Sequence, residues 1–306
     1  MVTVSRVQRV VVVTGPTASG KSDLAITLAE RLGGEVINAD SMQVYRGMDI
    51  GTAKVPLEER RGVPHHLLDL LDVTDAASVA EFQGWARNVI ADCRARDVTP
   101  IVVGGSSLYI RAITDQLEFP GTNPVVRERW RARLDEIGSE ALHDQLAWLE
   151  PAAAKMILPS NGRRIVRALE VIELTGRFEA SLPAYESIYD HLTLIGLDVS
   201  RDVLDKRINR RVDAMWDAGL VAEVQALLPQ GLADGLTAAK AIGYSQAVSF
   251  IAGALSEDEA RTEIATATRK FARKQDRLFR QDPRIHWLPF DAPTLVEDAL
   301  ALVAQS

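Results

Sequence analysis

A short loop near the N-terminus has the residue types and spacing of a phosphate-binding site. The stretch "TGPTASGKSD" (residues 14–23) places Gly15, Gly20, Lys21 and Ser22 in the pattern G-x-x-x-x-G-K-[ST]. In this pattern the glycines allow tight turns, backbone N–H groups and the lysine bind phosphate oxygens, and the hydroxyl binds a metal ion. The loop therefore predicts a ligand with phosphate groups, but it does not say which compound is bound or what reaction follows.

The residues on either side of the loop indicate a strand before it and a helix after it. The run "RVVVVTG" (residues 9–15) is β-branched and apolar on both faces, which is typical of a central parallel strand. After the loop, leucines recur every four residues on one helix face until Gly33 and Gly34 end the helix. The motif therefore has the strand–loop–helix context that a phosphate-binding loop requires.

Further apolar runs predict the sheet to which this strand belongs. Residues 35–41 ("EVINADS"), 99–107 ("TPIVVGGSS") and 191–200 ("HLTLIGLDVS") are each expected to form a buried strand. Strands that alternate with helices predict an α/β fold with a P-loop NTPase-like parallel sheet, whose ligands bind beyond the carboxyl ends of the strands. Three polar candidates fall at those ends: Lys21, Asp40 and Ser106.

The middle of the chain has a different character. In residues 116–189 strand-like runs disappear, and helical stretches rich in Arg, Glu, Ala and Leu are separated by prolines. We therefore predict two domains. Residues 1–115 together with 190–306 form the α/β core and the C-terminal helices, and residues 116–189 form an inserted all-helical domain.

Composition limits the class of protein. The 306 residues are 47% hydrophobic, and no window approaches 18 uninterrupted apolar residues, so we expect a soluble, cytoplasmic protein. The single cysteine, Cys93, lies on an amphipathic helix that Ser78 and Glu81 are expected to begin as a capping box. We interpret Cys93 as a core residue and exclude disulfides and a cysteine metal site. His65 and His66 are adjacent on an extended stretch and point to opposite faces, so we interpret them as structural.

The distribution of charge is more informative than its sum. A net charge of −7 argues against indiscriminate nucleic-acid binding, because that binding depends on neutralising phosphates with Lys and Arg. One arginine cluster, within residues 127–133, is offset by neighbouring acids, so we interpret it as a solvated helix face. Two other clusters lie at residues 163–167 and 269–284.

The last basic cluster lies on a predicted long helix. Ser256 and Glu259 form a capping box, and the helical pattern continues to Pro283. Three apolar residues are expected to mark its buried side: Ile264, Phe271 and Leu278. Its basic residues are spaced along one face: Arg269, Lys270, Arg273, Lys274, Arg277, Arg280 and Arg284. Because like charges at this spacing repel one another, we interpret the face as a binding surface for a polyanion.

The acidic residues do not follow the usual plan of a P-loop hydrolase or kinase. Those enzymes place an Asp at the end of an apolar strand to help bind magnesium. Here "PIVVGG" (residues 100–105) ends in glycines, and the strand-terminal acid is Asp40, which a long turn of residues 41–55 follows. This arrangement departs from the ordinary ATPase plan.

Six sequence blocks resemble the tRNA dimethylallyltransferase family of the bacterial type, whose members prenylate an adenosine beside the anticodon. They lie in the family's order between Gly15 and about Arg280. The blocks are "GPTASGKS", "NADSMQVYRGMDIGTAK", "PHHLLD", "VVGGSSLYIRA", "RRIVRALEVIELTG" and "AIGYSQ".

The resemblance implies a donor and a donor site. The donor would be dimethylallyl diphosphate rather than ATP, with Mg²⁺ as cofactor, and Ser22 would help to bind the metal. Lys21 and, in "RINRRVDAM", Arg211 would both reach the diphosphate. The implied diphosphate-binding residues are Gly15, Pro16, Thr17, Ala18, Ser19, Gly20, Lys21 and Ser22.

The resemblance also implies how the acceptor reacts. The nucleophile would be the exocyclic amine of the adenosine 3′ of the anticodon, with Asp40 as its general base. Ser106 would hold the amine or Asp40 in place, although a helix N-cap is a compatible role. The implied catalytic residues are Asp40, Ser106, Lys21, Ser22 and Arg211.

The anticodon stem-loop of tRNA is the implied macromolecular partner, and we expect the enzyme to be a monomer. Departures from the family pattern at residues 160–164, at Ser245 and at Leu278 concern the choice of tRNA rather than the donor. The implied tRNA-facing residues are Asp40, Ser41, Met42, Gln43, Ser106, Arg127, Arg163, Arg164, Arg167, Arg273, Lys274, Gln275, Arg277 and Arg280.

Three other functions stay open on the sequence. A P-loop small-molecule kinase would need a magnesium-binding Asp at a strand end and would turn over ATP. An adenylate isopentenyltransferase would use free AMP and would have little use for an inserted helical domain or a basic tail. A non-catalytic tRNA-binding protein would tolerate the loss of Asp40.

Overall fold

The computed structural model describes residues 9–179 and 182–306. The chain divides into two compact units, Met1–Asp115 with Ser187–Ser306, and Gln116–Glu186. The first unit contains a parallel sheet with helices, and the second is helical. The second boundary therefore falls after Glu186, close to the predicted boundary after residue 189.

The first unit alternates strands and helices in its N-terminal half and is mainly helical after its fifth strand. Its first elements are β1 (Val10–Thr14), α1 (Lys21–Leu32), β2 (Gly34–Asn38), β3 (His65–His66), α2 (Val79–Ala95), β4 (Thr99–Gly104) and α3 (Ser107–Thr114). The second unit contributes α4 (Pro124–Leu149), α5 (Pro151–Met156) and α6 (Gly162–Thr175). The first unit then continues with β5 (Leu192–Asp198), α7 (Arg201–Asp217), α8 (Leu220–Leu227), α9 (Tyr244–Ile251), α10 (Glu257–Phe279), β6 (Ile285–Pro289) and α11 (Leu295–Gln305).

Within the described residues, one sheet of six parallel strands has the order β3-β2-β4-β1-β5-β6. The predicted α/β class is confirmed, and the four predicted strands are present. β3 and β6 at the two edges were not predicted. The valine-rich β1 lies between β4 and β5 and is buried throughout. Its alternate residues pack into separate cores on opposite faces of the sheet, Val10 and Val12 in one and Val11 and Val13 in the other.

The second unit has its own hydrophobic core. Leu142 and Leu146 of α4 pack with Ile165 and Leu169 of α6. α4 is interrupted at Gly138, which has a left-handed φ of 79°. Ion pairs join its arginines to acids, as expected for a solvated face: Arg129–Glu173, Arg131–Glu128 and Arg133–Glu136.

The predicted capping box at the start of α2 is wrong. Ser78 is the N-cap residue, but its side chain makes no capping hydrogen bond. The backbone N–H of Phe82 bonds to the carbonyl of Ser78 at 3.0 Å, and Phe82 is buried in the main core. The helix therefore begins at Ser78 without a side-chain cap, and packing of its apolar face stabilises its first turn. Across the part of the chain that the structure describes, no helix has the length and apolarity needed to cross a membrane.

A partly buried polar cluster joins β2 to β3 and α2. Glu35 accepts two hydrogen bonds of 2.8 Å from Arg96, one of 2.7 Å from His66 and one of 3.5 Å from the thiol of Cys93. Hydrogen bonding by Arg96 is the main cause that lowers the pKa of Glu35 to about 2, while burial and Glu35 raise the pKa of Cys93 to about 12. Cys93 is a core residue, as predicted, but the sequence did not show that it meets His66 and a carboxylate.

Replacing Glu35 with Gln should change the acid stability of the protein. Because the native pKa of Glu35 lies near 2 rather than 4.5, the wild type gains stability above about pH 4.5 and loses it progressively toward pH 2. The variant should unfold about 1–2 kcal/mol more easily at neutral pH, a discounted value because Arg96 is partly exposed. Urea titrations over this pH range, with Glu81→Gln as an exposed control, measure the effect. If the free energies of unfolding of the wild type and Glu35→Gln fell in parallel between neutral pH and pH 2, the prediction would be wrong.

Candidate active site

The phosphate-binding loop connects β1 to the N-terminus of α1. Gly20 is the N-cap residue of α1 and has a φ of 99°, which an L-residue with a side chain rarely adopts. Lys21 begins the helix, and its Nζ donates a hydrogen bond of 3.4 Å to the carbonyl of Pro16. The loop and the free N–H groups at this helix start form a binding place for an anion.

Three strand ends bring the predicted polar residues to one edge of the sheet. β2, β4 and β1 are neighbours, and they lead into Asp40, Ser106 and the phosphate-binding loop, respectively. Burial and the charge of Arg211 on α7 lower the pKa of Lys21 to about 8, and Asp40 opposes this shift. Burial also lowers the pKa of Arg211, again opposed by Asp40. Lys21, Asp40 and Arg211 thus form one partly buried charge cluster.

Asp40 is held by its own strand end. Asn38 accepts a 2.8 Å hydrogen bond from the N–H of Asp40 and donates to the carbonyls of Asp40 and Leu67, both at 3.0 Å. Oδ1 of Asp40 accepts a 2.9 Å bond from the N–H of Met42. Its Oδ2 has no hydrogen-bond partner within residues 9–179 and 182–306. The carboxylate is therefore oriented through one oxygen and can accept a proton on the other.

Ser106 is the N-cap residue of α3, as the compatible role predicted. Its Oγ accepts a 3.4 Å hydrogen bond from the N–H of Tyr109, which leaves its own proton for another partner. Tyr109 is buried, and its pKa is raised to about 12 by burial, with smaller contributions from Tyr45 and Asp40. Tyr109 was not predicted as a neighbour of Asp40, although it follows Ser106 by three residues in the same block.

An open cleft of about 780 Å³ adjoins the loop and has a basic wall on α7. Arg207, Arg210 and Arg211 line it together with Lys21 and Ser22. Nε of Arg207 donates a 2.6 Å bond to the carbonyl of Ala18, and its guanidinium lies over the ring of Phe290. Of these three arginines only Arg211 was predicted to reach the ligand, although their spacing places all three on one side of a helix. The cleft can bind a compact polyanion against the loop.

Comparison with known families identifies the chain. The profile of the family described as IPP transferase matches residues 43–282. This chain belongs to that family. It is 57% identical over 296 residues to the tRNA dimethylallyltransferase of a Nocardioides species, covering 96% of both chains. It is 59% identical over 303 residues to the tRNA dimethylallyltransferase of Streptomyces griseus, covering 95% of this chain and 97% of the relative. The predicted family is confirmed.

Solved structures agree with this assignment. The tRNA isopentenylpyrophosphate transferase of Bacillus halodurans has a TM-score of 0.73 and 39% identity, covering 97% of this chain and 96% of that one. A eukaryotic dimethylallyltransferase described as acting on tRNA has a TM-score of 0.80 and 26% identity, covering 97% of this chain and 77% of that one. The IPP transferase is therefore a prenyl-transferring enzyme, which is the predicted enzyme class.

In this IPP transferase the turn after Asp40 is fixed from two sides. Lys54 is buried and forms ion pairs with Asp49 and Asp69 at 2.7 and 2.6 Å. From α8, Glu223 accepts the N–H groups of residues 49–51 at 2.7–3.2 Å and the hydroxyl of Tyr244 at 2.5 Å. These contacts hold the second half of the turn. The predicted tRNA-facing residues Ser41, Met42 and Gln43 lie at its start.

The three residues have different surroundings. Gln43 donates from Nε2 to the carbonyls of Thr52 and Ala53, at 3.1 and 3.3 Å, so its amide is engaged within the turn. Met42 packs against the main core, and Ser41 is half-buried. The predicted contact of these residues with tRNA stays a prediction.

Helix α10 buries different residues from those predicted. The predicted capping box of Ser256 and Glu259 is present. Phe271 was expected on the buried side but is 42% exposed, and Leu278 is only partly buried. Gln275, expected to face tRNA, is 5% exposed and makes two internal hydrogen bonds, which is a correction. The buried stripe runs through smaller residues than the sequence suggested: Ala260, Ile264, Ala265, Ala272, Gln275 and Phe279.

Several arginines of the basic stripe have internal partners. Arg273 pairs with Asp205 at 3.7 Å, and Arg280 pairs with Asp198 and Asp276. Arg284 lies beyond the helix and pairs with the buried Asp115, so its expected place on the stripe is wrong. Among the described residues, no ion-pair partner is present for Lys270, Lys274 or Arg277, and all three line a second cleft of about 810 Å³. The repulsion among the basic residues of α10 is therefore only partly neutralised by internal ion pairs.

The predicted tRNA-facing arginines of the second unit also divide into two groups. Glu170 is fully buried and forms ion pairs with Arg127 at 2.8 Å and Arg167 at 2.9 Å. Arg163 and Arg164 are exposed on the first turn of α6. Part of this cluster therefore stabilises the unit itself, which the sequence did not indicate.

Proposed function

We propose that the chain transfers a dimethylallyl group from dimethylallyl diphosphate to the exocyclic amine of the adenosine 3′ of the anticodon in tRNA, and releases diphosphate. The observation that carries the proposal is geometric: Lys21 and Arg211 line one cleft at the strand ends, and Asp40 lies at the end of β2 with one oriented oxygen. Membership of the IPP transferase family and the names of its relatives support the same reaction.

The phosphate-binding loop and α7 bind the donor. Backbone N–H groups of Gly15, Ala18 and Gly20, with the start of α1, donate hydrogen bonds to the diphosphate at the cleft. The N–H groups of Thr17 and Ser19 donate to Gln275 and to the carbonyl of Pro16, so Pro16, Thr17 and Ser19 shape the loop. Lys21 and Arg211 neutralise it from two sides, and Arg207 stabilises the loop through Ala18. These donors stabilise the negative charge that develops on the leaving oxygen.

Mg²⁺ fits this donor site. Ser22 lines the cleft and offers one hydroxyl oxygen, and Mg²⁺ commonly takes its other ligands from phosphates and water. When bound, the ion would neutralise charge on the diphosphate and so make it a better leaving group.

Asp40 and Ser106 act on the acceptor. The amine nitrogen attacks the allylic carbon, the carbon–oxygen bond breaks with its electron pair going to diphosphate, and Oδ2 of Asp40 accepts the amine proton. Ser106 can donate its hydroxyl proton to the adenine or to Asp40. The neighbouring Tyr109 stays protonated at neutral pH because its pKa is about 12.

tRNA phosphates contact the exposed basic face of α10, where Lys270, Lys274 and Arg277 have no ion-pair partner among the described residues. In the second unit, the exposed Arg163 and Arg164 are proposed as separate contacts. All the proposed donor and base residues lie within one unit of one chain, which supports action as a monomer. The proposed tRNA substrate supports a cytoplasmic location for the enzyme.

Replacing Arg273, Lys274 and Arg277 together with Ala should weaken tRNA binding and its salt dependence. Each lost phosphate contact should reduce the log–log salt slope by roughly 0.7–0.9. Titrations at several salt concentrations measure the slope. A triple replacement of Arg129, Arg131 and Arg133 is the control, because it removes equal charge from a face neutralised by acids. If the salt slope of tRNA binding were equal for the α10 variant and the wild type, the basic face of α10 would be a solvated surface that does not contact tRNA.

A comparison of acceptors separates the proposal from its alternatives. Labelled dimethylallyl diphosphate is incubated with the protein and either an anticodon stem-loop RNA or AMP, and ATP turnover is measured in parallel. Label in the RNA supports the proposal. Label in AMP alone would make the chain an adenylate isopentenyltransferase, and ATP turnover with no prenyl transfer would make it a kinase. RNA binding with neither reaction would leave a non-catalytic tRNA-binding protein.

A further inference from the structure

Gln275 links the donor loop to the acceptor turn. It lies on the buried side of α10 and is 5% exposed. Its Oε1 accepts a 2.9 Å hydrogen bond from the backbone N–H of Thr17, in the phosphate-binding loop. Its Nε2 donates a 2.8 Å hydrogen bond to the carbonyl of Gly105, which precedes Ser106. One side-chain amide therefore joins two segments that hold opposite substrates in the proposed function.

The chemistry of this link suits an amide. One partner is a donor and the other is an acceptor, and a side-chain amide offers both functions on one neutral planar group. The fit is tight, because a Cβ added at Gly105 would lie 2.3 Å from Nε2 of Gln275. Glycine at this position therefore lets the amide approach the backbone, and a loss of either bond would leave a buried backbone group without its partner.

The position of the link on α10 also matters. Lys274 and Arg277 lie on the exposed side of the same helix, next to the buried amide. A helix moves as a rigid element. A polyanion that binds Lys274 and Arg277 therefore restrains the same turn of α10 whose Gln275 bonds to Thr17 and Gly105. The same helix thus contacts the donor loop, the acceptor turn and, in the proposed function, tRNA.

We propose that Gln275 is a positioning residue for prenyl transfer. It sets the separation between the diphosphate loop and the Ser106 turn, and so the separation between the allylic carbon and the attacking amine. The inference rests on the proposed function, and it assigns to Gln275 a role inside the protein rather than on its tRNA surface. A displacement of about 1 Å between reacting groups can lower a rate roughly 10²-fold, so a small change in this link is sufficient for a large effect.

Two variants separate the two bonds. Gln275→Met keeps the length of the side chain and removes both hydrogen bonds. Gln275→Glu keeps the acceptor for Thr17 and removes the donor to Gly105. Glu263→Gln, on the exposed side of α10, is a control for altered chemistry on the same helix. Thermal unfolding and the tRNA dissociation constant are measured for all three, so that effects on folding or docking are identified.

We expect Gln275→Met to lower kcat roughly 10- to 100-fold at saturating donor and tRNA, with tRNA affinity within about threefold of wild type. Gln275→Glu should lower kcat while keeping donor affinity within about threefold, because the bond to Thr17 remains. Hydrogen exchange in residues 15–20 should accelerate in the Met variant. Glu263→Gln should match the wild type in each measurement.

The inference and the proposed function can fail separately. If the wild type transfers no prenyl group to RNA, the proposed function fails, and faster exchange of residues 15–20 in folded Gln275→Met would still support the link. If the wild type is active, kcat values within twofold of wild type for folded Met and Glu variants would overturn the positioning role. A loss of tRNA affinity with unchanged kcat would also overturn the positioning role and would assign Gln275 to tRNA binding.

Discussion

Asp40→Asn is expected to lower the turnover of prenyl transfer by roughly 10² or more, which is the usual contribution of a general base. Asn keeps the oxygen that accepts the N–H of Met42, so the turn after β2 should keep its structure. It cannot take the amine proton. Affinities for dimethylallyl diphosphate and tRNA should therefore stay within a few-fold of the wild type.

Single-turnover rates at saturating donor and tRNA, with separate binding titrations, measure this effect. Asp234→Asn is the matched control, because Asp234 is exposed and lies in the α8–α9 connection. It makes the same change of charge and should retain wild-type turnover. Equal losses of binding and turnover in Asp40→Asn would make Asp40 a docking residue rather than the base.

Lys21→Ala should act first on the donor. The ammonium group lies in the charge cluster with Arg211 and adjoins the loop, and a charge-assisted hydrogen bond contributes roughly 1.5–3 kcal/mol. Donor affinity should therefore fall roughly 10- to 100-fold, while tRNA affinity is retained because the tRNA-binding residues of α10 lie on another element.

Calorimetric titration with dimethylallyl diphosphate tests the role of Lys21 directly. Lys206→Ala is the control, since Lys206 is exposed on α7 and does not line the donor cleft. A donor dissociation constant for Lys21→Ala equal to that of the wild type would place the diphosphate elsewhere than at the loop.

Elements with a clear local sequence pattern could be predicted from the sequence alone. The strand–loop–helix around Lys21 follows from a short motif and from apolar runs, and the strand-end position of Asp40 follows from the same patterns. The two edge strands were missed for different reasons. β3 has only two residues, and β6 is a short run of mixed polarity after a long helix, so neither has a clear alternation.

Contacts between distant segments could not be predicted from spacing. The ion pair of Arg280 with Asp198 joins residues 82 positions apart, and that of Arg284 with Asp115 joins residues 169 positions apart. Both arginines appeared in the sequence as members of one unpaired stripe. Gln275 was misassigned for the same reason, because its two partners lie 258 and 170 positions away.

The central claim is that this IPP transferase prenylates one adenosine of tRNA. The most direct measurement is to incubate the protein with labelled dimethylallyl diphosphate, Mg²⁺ and tRNA, digest the RNA, and identify the labelled nucleoside by chromatography and mass spectrometry. The expected result is one product, adenosine with a dimethylallyl group on its exocyclic amine, from the position 3′ of the anticodon. Asp40→Asn should form this product at a rate lower by roughly 10² or more. Unlabelled RNA from an active, folded preparation, or label on another atom or position, would contradict it.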